Sequence, residues 1–238
     1  MKNPGVRSVL CALACMVVLG GNLAASDSNL VGVWMGYHNY KLDSPRWIKF
    51  YGNGSLFWDL PTRGFLGFNH KASRADPNQK GLWGTYTVSG ASGQIHKPGV
   101  DATWKLSILD DSKIKIDTDT YYRCAEVDGA KLAGSWSTYG GGEESVLSSI
   151  KGLKPVIVFS PDGHFTDHGI LSFSYLSQNK PAANSANAPG RGTYEAKAFS
   201  LILHYAGGRT RQLSFTFSLN SKQPEKVIYL ERAALFKR

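Results

Sequence analysis

Leu30-Val31-Gly32-Val33-Trp34 recurs as Leu132-Ala133-Gly134-Ser135-Trp136, 102 positions further along a chain of 238 residues. Moving outward from that pair, Phe50-Tyr51-Gly52-Asn53-Gly54-Ser55-Leu56 matches Phe159-Ser160-Pro161-Asp162-Gly163-His164-Phe165 at an offset of 109. Gly84-Thr85-Tyr86 then matches Gly192-Thr193-Tyr194 at an offset of 108. Three landmarks in one order, drifting only in the connections, mark a tandem duplication. The units are 30–124 and 132–238. The joint between them, 125–131, is short and holds Asp128-Gly129, so the two units are expected to touch.

Each unit alternates apolar and polar residues with period two. Trp104, Leu106 and Ile108 alternate with Thr103, Lys105 and Ser107; Leu213, Phe215, Phe217 and Leu219 alternate with Gln212, Ser214, Thr216 and Ser218. That is the pattern of half-buried antiparallel strands. Asn53-Gly54 and Asp162-Gly163 sit between apolar segments and read as hairpin turns, because such pairs tolerate the positive φ that tight turns need. In the first unit the runs predict strands at 30–36, 46–51, 55–60, 64–69, 82–88, 103–109, 113–117 and 120–124. One short helix is expected at 143–151. Seven or eight short strands with one apolar face must curl to bury it and protect their edges. The expected fold is therefore all-β, with two small antiparallel barrels in tandem.

The Gly-x-Trp on an opening strand, the Phe-x-x-(Asp/Asn)-Gly-x-(Phe/Leu) hairpin, the Gly-Thr-Tyr strand and the closing meander together resemble the lipocalin-like barrels of bacterial exported proteins. The resemblance spans both repeats. It implies that Trp34 and Trp136 plug one end of each barrel, with Arg123 and Arg232 packed across them as cation–π partners. It also implies a binding habit. Each unit is shorter than a full lipocalin and lacks the stapling disulfides.

The N-terminus points to export. Lys2 and Arg7 precede an apolar run, Val9 to Leu19, followed by Gly20-Gly21-Asn22-Leu23-Ala24-Ala25-Ser26, the order of a secretory signal peptide over 1–25. The run is too short to span a bilayer, which takes about 20 apolar residues, so no stable membrane insertion is expected. Cys15 after Ala12-Leu13-Ala14 matches a lipoprotein signal only loosely, and a lipidated form is the minor alternative to a periplasmic or extracellular protein. Cleavage leaves Cys124 as the single cysteine and takes the formal charge from +9 to +7. A lone thiol in an oxidising compartment is expected to be buried and inert.

Five of the six tryptophans fall in the first unit. Trp47, Trp58, Trp83 and Trp104, with Tyr51 and Tyr86, are the candidate ligand-binding residues, since aromatic walls with polar tips suit apolar or aromatic molecules. The same side chains also serve as ordinary barrel core. His164 and His168 suggest a metal site, but four residues apart on a strand they lie about 13 Å from each other. Asp117 and Asp119 read as a solvated edge. No nucleophile elbow, phosphate-binding loop or zinc-protease motif occurs, no histidine stands out as a haem ligand, and so neither catalysis nor a cofactor is expected. Basic residues are dispersed, with Gly207-Gly208-Arg209-Thr210-Arg211 read as a hairpin tip, which argues against nucleic-acid binding.

Long connections recur at matching places, 36–46 and 139–154 after the opening strand, then 69–81 and 178–190 before Gly-Thr-Tyr. Whether the two of each unit share one barrel end depends on whether 61–64 reverses the chain. The leading expectation is an exported non-catalytic protein holding a small apolar or aromatic ligand in the first barrel. The alternative is a protein-interaction module, an enzyme inhibitor or envelope factor, acting through these loops.

Overall fold

A computed structural model describes residues 29–37, 45–97, 102–138, 156–172, 188–219 and 226–238. The export segment and the expected helix at 143–151 lie outside them. In the first half the strands are β1 (Gly32–Tyr37), β2 (Pro45–Phe50), β3 (Ser55–Phe57), β4 (Trp83–Ser89), β5 (Ser92–His96), β6 (Thr103–Asp110), β7 (Lys113–Ile116) and β8 (Asp119–Arg123). In the second they are β9 (Gly134–Ser137), β10 (Ile157–Phe159), β11 (His164–Asp167), β12 (Gly190–Lys197), β13 (Ser200–Tyr205), β14 (Thr210–Phe217), β15 (Val227–Leu230) and β16 (Ala233–Lys237). Each set closes into an antiparallel barrel in which sequential strands are neighbours. Closure removes the free edges that eight short strands would otherwise expose.

The duplication is exact in topology. Gly32 pairs with Phe50 as Gly134 does with Phe159, and Gly84 pairs with Leu56 as Gly192 does with Phe165. Both glycines at the Gly-Thr-Tyr position face close backbone: a Cβ would stand 2.6 Å from His96 O in one barrel and 1.8 Å from His204 O in the other. The hairpin turns form where the sequence places them, with Gly54 at φ +74° and Gly163 at +92°.

The strand prediction at 64–69 is corrected. Residues 58–82 are one long connection from β3 to β4, and after a turn closed by Gly64 N to Pro61 O at 2.7 Å it leads into a short helix, α1 (His70–Ala75). Asn69 caps that helix by accepting from Ala72 N at 2.9 Å. The eighth strand is instead β5, whose Ser-Gly-Gln-Ile-His sequence has a single large apolar residue and therefore gave no alternation signal. Because the chain reverses at every strand, the β1–β2 and β3–β4 connections leave from the same end of the first barrel. The corresponding pair does so in the second.

Barrel one is filled by its own inward side chains, among them Trp34, Ile48, Phe50, Leu56, Tyr86, Ile95, Leu106 and Ile114. Its outward-facing Val33, Met35, Trp47 and Phe57 are buried as well, because they join Leu60, Phe65, Phe199 and Tyr229 in one continuous core with the second barrel. Each such large side chain stabilises the assembly by roughly 1.5–3 kcal/mol on burial. Backbone polar groups at this contact are bonded across it: Phe65 N to Ala198 O at 2.9 Å, Ser214 N to Thr62 O at 2.7 Å, and Gln212 Nε2 to Arg63 O at 2.7 Å.

Candidate functional site

The six candidate aromatic residues divide over the two walls of the first barrel. Trp58, Trp104 and Tyr86 pack with its interior, and the Trp58 and Trp104 rings meet edge to face at 5.1 Å. Trp58 Nε1 is buried with no hydrogen-bond partner among the described residues. Trp47, Tyr51 and Trp83 stand on the outer face. Trp83 stacks on Tyr51 at 5.6 Å, donates from Nε1 to Ser73 Oγ at 3.0 Å, and carries the Arg74 guanidinium 4.1 Å from its ring, so it pins α1 to the barrel. Trp47 meets Tyr229 of the second barrel edge to face at 5.6 Å. Among the described residues the six do not share one face of the barrel wall.

The barrel ends follow the ladder. Arg123 lies directly across from Trp34, its guanidinium 4.3 Å from the ring, and donates to Asp111 O, Val31 O and Asn29 O. In the second barrel the residue opposite Trp136 is Lys237, whose Nζ is 5.8 Å from the ring. Arg232, the closer carried over by resemblance, instead occupies the β15–β16 turn and pairs with Asp59 of the first barrel. The repeat register decides this: position 123 corresponds to 237, and Arg232 is only the arginine that the 109-residue offset of the hairpin places after Arg123.

One concave feature with a mixed lining lies between the barrels. A crevice of about 550 Å³ is bounded by the 58–82 connection on one side and by Gln212 and Arg232 on the other. Phe57, Leu60, Phe68 and Leu82 form its apolar wall, with Asp59, Arg63 and Arg232 as its charges. That volume falls in the usual range for small-molecule sites, which favour such junctions. Asp59 is buried enough that its carboxyl is pushed up from the ordinary range, with Arg232 and the Leu60 amide pulling it back down.

The second barrel holds a buried polar cluster near its long connections. Asp167, almost fully buried, accepts from Gly169 N at 2.8 Å and from the Tyr205 hydroxyl at 3.3 Å. Arg211 donates to Leu171 O at 2.8 Å and pairs with Glu231 at 3.5 Å, both side chains nearly buried. Burial raises the carboxyls of Asp167 and Glu231 above their ordinary values, and it pushes the Tyr205 hydroxyl up to about 12. These groups hold the segment 168–172, whose Ile170 and Leu171 are buried, onto the barrel end. His164 and His168 are both exposed, and among the described residues no three His, Cys, Asp or Glu side chains converge on a metal position. Cys124 is buried, with its thiol pushed up by burial.

Sequence reading gave no role to Asp59 or Asp167 and placed Arg211 in a hairpin tip, because nothing in their neighbours marks which charges become buried. It also missed a repeated surface row. His96 stands between Thr85 and Thr103, and His204 between Thr193 and Thr210, with each His Nδ1 facing the second Thr hydroxyl at 3.1 and 3.4 Å. Extending the 108-residue offset beyond Gly-Thr-Tyr finds the Thr85/Thr193 and His96/His204 pairs in the sequence, with Thr103 and Thr210 following at 107. The fold and the crevice define a tandem pair of closed eight-stranded antiparallel barrels with a cleft at their junction. No protein-family model and no curated protein matches the chain.

Proposed function

We propose that this chain is an exported, non-catalytic binding protein of lipocalin-like type that holds a small apolar or aromatic molecule in the crevice between its barrels. The observation that carries the reading is the 550 Å³ crevice itself, with four apolar side chains on one wall and a few charged groups at its border. The first barrel's interior is filled by its own side chains, which favours a site outside it, built from its outer aromatic wall and the 58–82 connection. Export rests on the N-terminal charge, apolar run and small-residue order, and N-terminal sequencing of protein recovered from its host should begin near Ser26.

Native mass spectrometry of the protein purified from its host is expected to show an added small-molecule mass. Leu66, half-buried on the crevice border, offers the control: Leu66→Trp fills the space and should abolish the adduct while leaving the far-ultraviolet spectrum unchanged. A clean unliganded mass for the wild-type protein overturns the reading. A second reading, an interaction module, is favoured by the strand order, which gathers the long connections of each barrel at one end. In-cell cross-linking would then capture a stable stoichiometric partner that survives Leu66→Trp.

A further inference from the structure

The crevice has a charge asymmetry that its apolar wall does not explain. Among its described lining residues Asp59 is the single acid, and it is paired with Arg232. Arg63 is then a surplus cation, exposed to solvent, while its own backbone carbonyl is anchored to Gln212 of the second barrel at 2.7 Å. The crevice amides are already engaged: Gln79 accepts from Ser73 and donates to Asp76, and Gln212 donates to the Arg63 and Leu66 carbonyls.

Arg232 is aimed into this space by a turn with a conformational cost. Glu231 and Arg232 both hold positive φ, at 46° and 74°. Two-residue turns of that kind favour Asn and Gly, and other residues there store on the order of 1–3 kcal/mol of strain. The two side chains leave the turn in opposite directions, Glu231 to Arg211 within the second barrel and Arg232 to Asp59 of the first. The matching turn of the first barrel, Asp117-Thr118, has one strained residue, whose carboxylate is used locally on Lys105 N at 2.8 Å. Only the second barrel's turn delivers a guanidinium to the crevice.

Resting on the reading above, we infer that the crevice selects an apolar or aromatic body bearing one anionic group, with the body against Phe57, Leu60, Phe68 and Leu82 and the anion on Arg63 and Arg232. The anion competes with Asp59 for Arg232, and burial raises the Asp59 carboxyl from its ordinary value, which weakens it as the competitor. A guanidinium gives a carboxylate two parallel donors, which an alcohol of the same shape cannot use.

The test is a ligand-observed NMR titration of the full chain with 2-naphthoate, 2-naphthalenemethanol and 2-naphthylmethylammonium. Naphthoate is expected to bind about tenfold tighter than the alcohol, with the ammonium weakest. Arg63→Gln should remove most of that preference without changing the alcohol's Kd. Equal affinity for naphthoate and alcohol, or a preference untouched by both Arg63→Gln and Arg232→Gln, overturns the anionic class and leaves the crevice reading standing. Failure of all three to bind, or binding undiminished by Leu66→Trp, overturns the crevice reading and this inference together.

Discussion

Beside its long connections, the first barrel turns Trp58 and Trp104 inward, while the second has Asp167 and Arg211 at the register-equivalent positions. The equivalence runs through the ladders: Leu56 and Phe165 pair with matching glycines, and Trp104 and Arg211 each face the residue paired with the Gly-Thr-Tyr tyrosine. At one scaffold position two rings exclude water by area, and at the other a carboxylate and a guanidinium are kept dry by hydrogen bonds to segment 168–172. The barrel tolerates either because the strands beneath are already closed. The difference lies in what each end holds.

If that view is right, removing one buried charge should damage far more than removing one ring hydrogen bond. Arg211→Met leaves Glu231 and Asp167 buried without their cation and should cost about 3–5 kcal/mol in urea unfolding; a loss below about 1 kcal/mol would mean the cluster is wet. Contact between the barrels gives the next effect. Gly64 has φ +74°, and a Cβ there would meet Phe199 O at 2.2 Å, whereas at Gly67, φ +69°, a Cβ meets nothing within 4 Å. Gly64→Ala should therefore cost about 3 kcal/mol and Gly67→Ala about 1 kcal/mol, the second being backbone strain alone. Equal costs would show that the barrels do not press together at this point.

A finer contrast separates the two plugs. Trp34 Nε1 donates to Leu30 O at 2.8 Å. Among the described residues Trp136 Nε1 is buried without a partner, the Tyr194 hydroxyl bonding both the Leu132 amide and carbonyl, at 2.7 and 3.0 Å. Trp34→Phe should thus destabilise by about 1–3 kcal/mol more than Trp136→Phe, measured as the difference in thermal unfolding.

The smallest effect is in pH. Asp167 and Glu231 have folded values raised above their ordinary 3.8 and 4.5. Folded protein therefore binds their protons more readily than unfolded protein, and their contribution to stability falls as pH rises through the window opening at those values. Asp167→Asn should flatten that decline, read from urea-unfolding midpoints across pH.

Much of this was legible without coordinates. The repeat, the hairpin turns, the barrel closure and most strands follow from alternation and from Asn-Gly and Asp-Gly pairs. The failures have physical causes. Residues 64–69 look like a strand because Phe65 and Phe68 are apolar, but Phe65 is buried against the partner barrel and Phe68 half-buried beside α1, neither in a ladder. Strand β5 is silent because Gly93 and Ser92 leave Ile95 alone to mark it. Trp47 and Trp83 read as interior residues, since composition counts aromatic groups without saying which wall they line. Arg232 was misassigned because ladder pairing, and not a fixed repeat offset, defines the residue across from Trp136.

By itself the sequence determined two copies of a unit of seven or eight short strands and which residues of most strands share a face, since side chains alternate with period two whatever surrounds them. Only the tertiary structure decided that one outward face is buried, that 58–82 is a connection wedged between barrels, and that Asp59, Arg63 and Arg232 meet at a crevice. An outward face carries no mark of what will cover it. Its fate depends on how a second folded body docks, and that is set by shape and hydrogen bonding across residues more than a hundred positions apart.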